Sequence, residues 1–174
     1  GRPQASVLIA ILNYGKFIES PELIYTQRSS HLSTHSGEVS FPGGKADETD
    51  LSLFGTALRE SNEEINLNSE DVTELGKLNY LISRHKIEVN PFVASVDQVQ
   101  ALKPNEEIQE IFTVPIDFLL DPKNIKREII KRHGGVWQVP TWTIKDQKIW
   151  GLTAMITVNF LNVCFDANIE ILEG

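Results

Sequence analysis

The sequence predicts one mixed α/β or α+β domain. Strands outnumber helices in the hydrophobic pattern, the helices are interspersed among the strands, and no stretch repeats or reads as a linker. The chain has 174 residues, enough to bury roughly two thirds of the surface its unfolded form would expose, so folding needs no disulfide scaffold or structural metal. A single domain over residues 1–174 is expected.

Val7 to Leu12 is a continuous apolar run, the pattern of a strand buried on both faces, and Glu22 to Gln27 reads as a second strand after a turn at Tyr14-Gly15. From Arg28 to Gly37 Ser, His and Thr alternate without periodicity, so this is a loop, long enough to suspect function. A short strand, Glu38 to Phe41, ends at Pro42, and Gly43-Gly44 then reads as a sharp turn where backbone groups can approach a ligand without hindrance from a Cβ. Further strands are expected at Leu75 to Ser83, Val89 to Val96, Ile108 to Val114 and Trp137 to Ile144, with helices at Ile116 to Leu120 and Trp150 to Val163.

Apolar residues make up 41% and charged residues 23%, the proportions of an ordinary globular protein, and no apolar run approaches the roughly 20 residues of a membrane span. A net charge of -8 argues against a nucleic-acid backbone or an anionic membrane as partner, since those contacts use Lys and Arg. The one cysteine, Cys164, sits in an apolar segment and reads as a buried small hydrophobe; its lack of a partner in the chain fits a reducing, cytoplasmic compartment. No signal-peptide pattern opens the chain, which begins with Gly1 rather than Met, so its start is not read as the natural N-terminus.

After Asp50 a helix is expected, with Leu51, Phe54, Leu58 and Ile65 clustering within about 60° of one another on its core-facing side. Measured from Leu58, Glu60, Glu63 and Glu64 fall at about 200°, 140° and 240°, away from the core. Such crowding costs a few tenths of a kcal/mol per like-charge pair, and no Lys or Arg stands four residues C-terminal to any of the three to relieve it. Glu63 and Glu64 also lie at the negative end of the helix dipole, where a carboxylate loses a further ~0.3 to 1 kcal/mol. A shared cation would remove this liability. Glu60 and Glu64 are about 6 Å apart along the axis, close enough for both to converge on one hard divalent ion.

These residues resemble those of a Nudix hydrolase. The Nudix box runs Gly, a loop, an acidic residue, then Arg-Glu-apolar-x-Glu-Glu-x-Gly-apolar; here Gly44, Asp50, Arg59, Glu60, Glu63, Glu64 and Leu67 match it. Three positions depart: the loop before Arg59 is one residue longer, Ser61 stands for an apolar residue and Asn66 for glycine. Asn tolerates a left-handed C-terminal turn nearly as well as Gly. The upstream stretch IYTQRSSHLSTHSGEVSFPGG is similar to the signature of the coenzyme A pyrophosphatase branch: Thr26, Arg28, Ser29, Gly37, Phe41, Pro42, Gly43 and Gly44 match, Ile24 and Tyr25 replace two leucines, and Ser33 replaces an arginine.

The resemblance implies a Nudix-type α/β/α sandwich around a central mixed sheet, and water attack on the phosphorus of a nucleoside diphosphate linked to another group. The favoured substrate is coenzyme A or a derivative, giving 4'-phosphopantetheine and adenosine 3',5'-bisphosphate. ADP-ribose, a dinucleotide or a nucleoside triphosphate is the alternative, and a non-catalytic nucleotide-binding regulator is the alternative of another class. Oxygen ligands without a Cys or His cluster suit Mg²⁺ or Mn²⁺. Glu60, Glu64 and, directly or through water, Glu63 are the expected ligands, with the Gly44 carbonyl and a carboxylate from elsewhere, Glu107 or Glu110. Arg59 would orient Glu60 through a charge-assisted hydrogen bond. Arg28 would hold a substrate phosphate in the fork of its guanidinium, and Gly43 would meet the substrate through its main chain. His31, His35 and His85 are given no role, and Trp137, Trp142 and Trp150 are expected in core or hydrogen-bonded positions.

Overall fold

The apolar run at Val7 extends into a nine-residue strand, β1 (Gln4–Leu12), at the centre of a mixed sheet. On one edge it pairs in parallel with β7 (Glu88–Val96), in register from Gln4 opposite Glu88 to Leu12 opposite Val96. Its other edge carries two antiparallel partners: β2 (Glu22–Arg28) meets Ile11 and Leu12, and β4 (Gly43–Lys45) meets Ala5 to Val7. β2 continues the sheet to β3 (Val39–Ser40) and β8 (Ile108–Pro115), while β7 continues it to β5 (Val72–Lys77) and β6 (Leu81–Ile82). The computed structural model describes residues 1–16, 19–31, 37–97, 101–132 and 134–173. They form two units, Gly1–Pro115 and Ile116–Gly174.

Period-two alternation sets the core of the first unit. Leu8, Ala10 and Leu12 of β1, in register with Phe92, Ala94 and Val96 of β7, pack with Ala57 and Ile65 of α1 (Leu53–Ile65). Each large aliphatic or aromatic side chain so buried contributes ~1.5 to 3 kcal/mol. Ser52 caps the helix, its Oγ accepting the Gly55 N–H at 2.9 Å. At the other end Asn66 takes the left-handed conformation, φ 59°, as expected of this asparagine, with its N–H donating to Asn62 O at 3.0 Å and the Leu67 N–H to Ser61 O at 3.4 Å.

Several sequence expectations need correction. Leu51 precedes the Ser52 cap and is fully exposed, because the helix starts too late to carry it inward. The buried side of α1 is Thr56, Ala57, Ser61, Glu64 and Ile65. Helix α1 packs on both β1 and β4, and the Asn105 N–H reaches Glu64 O, so the wheel position assigned to solvent is enclosed. Ser61, 0% exposed, has no hydrogen-bond partner for its Oγ. Gly43-Gly44 is strand rather than turn. Leu75 to Ser83 is broken into β5 and β6, which pair separately with β7, and β5 itself carries a bulge between Glu74 and Gly76.

In the second unit α2 (Ile116–Leu120) matches its expected limits. β10 (Gly135–Ile144) is flanked by β9 (Lys126–Arg132), β11 (Gln147–Ile149) and β12 (Leu172–Glu173), and α3 spans Gly151–Phe165. Trp142 is fully buried and donates Nε1–H to Leu119 O at 3.1 Å, while Trp137 donates to Arg132 O at 3.4 Å. Trp150 is the exposed residue before α3. Cys164 is exposed, not buried, because the last turn of α3 leaves the core. Among the described residues no helix is long and apolar enough to cross a membrane.

Candidate active site

The glycine pair is held as strand by its neighbours. Leu8 N–H donates to Pro42 O and Ala46 N–H to Gln4 O, both at 2.8 Å, closing the two ends of the β1–β4 pairing. With no Cβ on Gly44, the carboxyl group of Glu60 occupies the space a side chain would need: a built Cβ would lie 2.5 Å from Glu60 Cδ and 2.7 and 2.8 Å from its oxygens. The strand and helix are thus brought together by the absence of a side chain.

Glu64 is only 4% exposed, and its Oε1 accepts the Gly43 N–H at 2.9 Å. Burial pushes its carboxyl up to about 7, against the pull of the Gly43 N–H; Glu60 and Glu107 push it further up and Arg28 pulls it down. Burial also raises Glu60, opposed by Arg59 and assisted by Glu63 and Glu107. Arg28 from the end of β2 and Glu107 from the segment before β8 therefore act on the helix carboxylates from remote parts of the sequence. Glu107 is itself exposed. Glu110, the other carboxylate considered, sits in β8 opposite Gln27.

Arg59 is the hub of the cluster. Its Nε and Nη2 grip Asp50 Oδ1 and Oδ2 at 2.7 and 2.9 Å, Nη2 also donates to Lys45 O at 3.1 Å, and Nη1 reaches Glu60 Oε1 at 3.1 Å and Glu63 Oε1 at 3.3 Å. Asp50 additionally accepts the Asp47 N–H at 2.9 Å and the Thr56 hydroxyl at 2.8 Å. The guanidinium, foremost, holds the Asp50 carboxyl well below the usual carboxylate range, and Asp50 in return raises Arg59. Sequence reasoning found Arg59 and Glu60 but assigned no role to the bidentate Asp50 or to Thr56. The acidic position before Arg59 was the available signal.

The structure gathers Arg28, Gly43, Gly44, Arg59, Glu60, Glu63, Glu64 and Glu107 around one helix. Gly43, expected to meet substrate, gives its N–H to Glu64. Arg28 is half-buried, and its enclosed Nε has no hydrogen-bond partner among the described residues. Ser33 and His35 lie outside the described residues. Among the described residues no three carboxylate, imidazole or thiol groups form a ready-made metal cage; Arg59 donates to Glu60 and Glu63, and Gly43 to Glu64. The donor set nonetheless fits a hard divalent cation: it is all oxygen, and it contains a desolvated carboxylate, Glu64, with no direct ion pair to neutralise it.

The chain belongs to the Nudix hydrolase family, whose NUDIX domain model matches residues 2–140. It is 40% identical over 159 residues to an uncharacterized Nudix hydrolase, NudL, of Pectobacterium atrosepticum, covering 88% of this chain and 78% of that protein. Over 142 residues it is 39% identical to the mitochondrial coenzyme A diphosphatase NUDT8 of Homo sapiens, covering 79% of this chain and 60% of that protein. A MutT/nudix family protein from Enterococcus faecalis superposes with a TM-score of 0.61 over 95% of this chain and 63% of that one, at 14% identity. The expected Nudix-type fold on a mixed sheet is borne out.

Arg59→Lys tests the hub. An ammonium cannot grip both oxygens of Asp50 while reaching Glu60 and Glu63. The variant is expected to lose about tenfold or more in kcat/KM with its fold intact by circular dichroism; wild-type kcat/KM would show that the bidentate geometry is immaterial.

Proposed function

We propose that the protein is a divalent-metal-dependent pyrophosphatase that cleaves coenzyme A or its derivatives to 4'-phosphopantetheine and adenosine 3',5'-bisphosphate, with residues 1–174 acting as one Nudix hydrolase domain. The observation that carries the reading is the buried Glu64 beside Glu60, with the charges of Arg28 and Glu107 acting on it from outside the helix. A carboxylate this desolvated weakens the fold unless a cation joins it.

Glu60, Glu63, Glu64 and Glu107, with the Gly44 carbonyl, would hold Mg²⁺ or Mn²⁺. Held there, such an ion would supply charge screening of the pyrophosphate and stabilisation of the leaving oxyanion. Arg59 orients Glu60 and Glu63, and is itself held by Asp50. Arg28, half-buried and acting on Glu64 by its charge, would offer its guanidinium to a substrate phosphate. Glu64 fixes its own carboxylate on the Gly43 amide, so the strand and helix keep a constant separation. The similarity to a coenzyme A diphosphatase supports the choice of substrate, and the lone cysteine supports a cytoplasmic setting.

Incubation with Mg²⁺ or Mn²⁺ and a panel of coenzyme A, NADH, ADP-ribose, diadenosine polyphosphates and nucleoside triphosphates tests this reading. Coenzyme A is expected to have the highest kcat/KM, with both named products. Preference for another member would move the substrate, and nucleotide binding without hydrolysis anywhere would support the regulator instead.

A further inference from the structure

Glu107 is exposed and lies in a stretch without regular structure, yet its main chain is fixed on both sides. Its N–H donates to Asn105 Oδ1 at 2.9 Å, and its carbonyl accepts the Ser29 N–H at 2.8 Å. The Ser29 hydroxyl takes the preceding carbonyl as well, Glu106 O, at 3.0 Å. Asn105 in turn donates its own N–H to Glu64 O at 2.9 Å, and Lys103 N–H donates to Ile65 O at 3.0 Å. The last carbonyls of α1 are thereby satisfied by the very segment that carries Glu107.

We infer that Ser29 and Asn105 are positioning residues for Glu107, holding its main chain against the C-terminal end of α1 so that its carboxylate faces those of Glu60 and Glu64. Ser29 is 6% exposed and follows Arg28 directly, where the β2–β8 register shifts between Gln27 and Arg28. The irregularity aims the serine at Glu106 and Glu107 instead of continuing the ladder. The end of β2 therefore presents Arg28 to the cluster and, through Ser29 just beyond it, sets the place of the fourth carboxylate. An exposed glutamate side chain on a free loop would spread over many rotamers; two restraints on its own peptide groups confine its Cα and leave only the side-chain torsions.

The inference rests on Glu107 being a metal ligand, and the test separates the two. Mn²⁺ binding to the metal-free full chain, without substrate, is followed by the electron paramagnetic resonance of free Mn²⁺ in wild type, Ser29→Ala, Glu107→Gln and the double variant, with thermal unfolding recorded for each. Each single variant is expected to bind Mn²⁺ about tenfold more weakly. The double variant should bind no more weakly than Glu107→Gln, because Ser29 acts through Glu107. Ser29→Ala removes the hydroxyl bond to Glu106 O and keeps the N–H on Glu107 O, whereas Asn105→Ala breaks the side-chain bond to the Glu107 N–H itself. Asn105→Ala should follow the same pattern and serves if Ser29→Ala does not fold. Unchanged Mn²⁺ affinity in Ser29→Ala and Asn105→Ala, or losses that simply add to that of Glu107→Gln, would overturn the positioning role while leaving the ligand role intact. Wild-type affinity in Glu107→Gln would overturn the ligand role and this inference with it.

Discussion

Glu64→Gln is expected to lower pyrophosphatase turnover at least about a hundredfold while making the metal-free protein harder to unfold at alkaline pH. The amide keeps an oxygen for the Gly43 N–H and nearly the same volume, so the strand–helix contact survives. What disappears is a buried charge. In the folded state burial pushes the Glu64 carboxyl up to about 7 from an ordinary 4.5. Below the lower value both folded and unfolded chains hold the proton, and the group contributes nothing to the pH dependence. Between the two values the unfolded chain releases its proton first, so stability falls as pH rises. Above about 7 the whole penalty is present, about 3 kcal/mol at ~1.4 kcal/mol per pH unit of separation. Unfolding curves in EDTA should thus show the variant more stable by several degrees near about pH 8, with the gap closing toward about pH 4. Equal or lower stability at the alkaline end would mean that Glu64 is not held uncompensated. Unchanged turnover would remove it from the metal site.

Much of this site was legible because its chemistry is local in sequence. Arg59, Glu60, Glu63 and Glu64 fall within two turns of one helix, and helical spacing alone brings them together. The helix wheel failed at Glu64 because it describes one element, whereas burial is decided by everything packed on that element. Here β4 and the segment at Asn105 cover the face that the wheel assigns to water. The glycine pair was misread for a related reason: Pro-Gly-Gly is turn chemistry by composition, but pairing with Ala5 to Val7 overrides that propensity. Strand β9 went unseen, since a run reading Lys-Arg-Glu-Ile-Ile-Lys-Arg has too few apolar residues to show period two. The hold of Ser29 and Asn105 on Glu107 could not be seen at all. It consists of hydrogen bonds that tie the main chain of Glu106 and Glu107 to the hydroxyl and N–H of Ser29 and to the side-chain oxygen of Asn105, and no residue type advertises them.

The two adjacent glycines separate stability from catalysis, and alanine at each should give opposite results. A Cβ at Gly43 would stand 2.2 Å from Ser6 O and 2.7 Å from Val7 Cα, main-chain atoms of the partner strand that cannot yield unless the β1–β4 pairing opens. Gly43→Ala is therefore expected to cost about 3 kcal/mol or more and to lose soluble expression or several degrees of unfolding temperature. At Gly44 the Cβ would meet only the carboxyl end of Glu60, at 2.5 to 2.8 Å, and that side chain can swing aside at the price of its hold by Arg59. Gly44→Ala should unfold within a few degrees of wild type yet lose about a hundredfold in kcat/KM, the order expected for a misplacement of about 1 Å in a reacting constellation. The informative readout is the ratio of the two effects. If Gly44→Ala keeps wild-type kcat/KM, the close approach of Glu60 to the strand is packing and not part of the catalytic geometry. If Gly43→Ala is as stable as wild type, the strand pairing that anchors Glu64 through its amide hydrogen bond is far more yielding than its register with β1 implies.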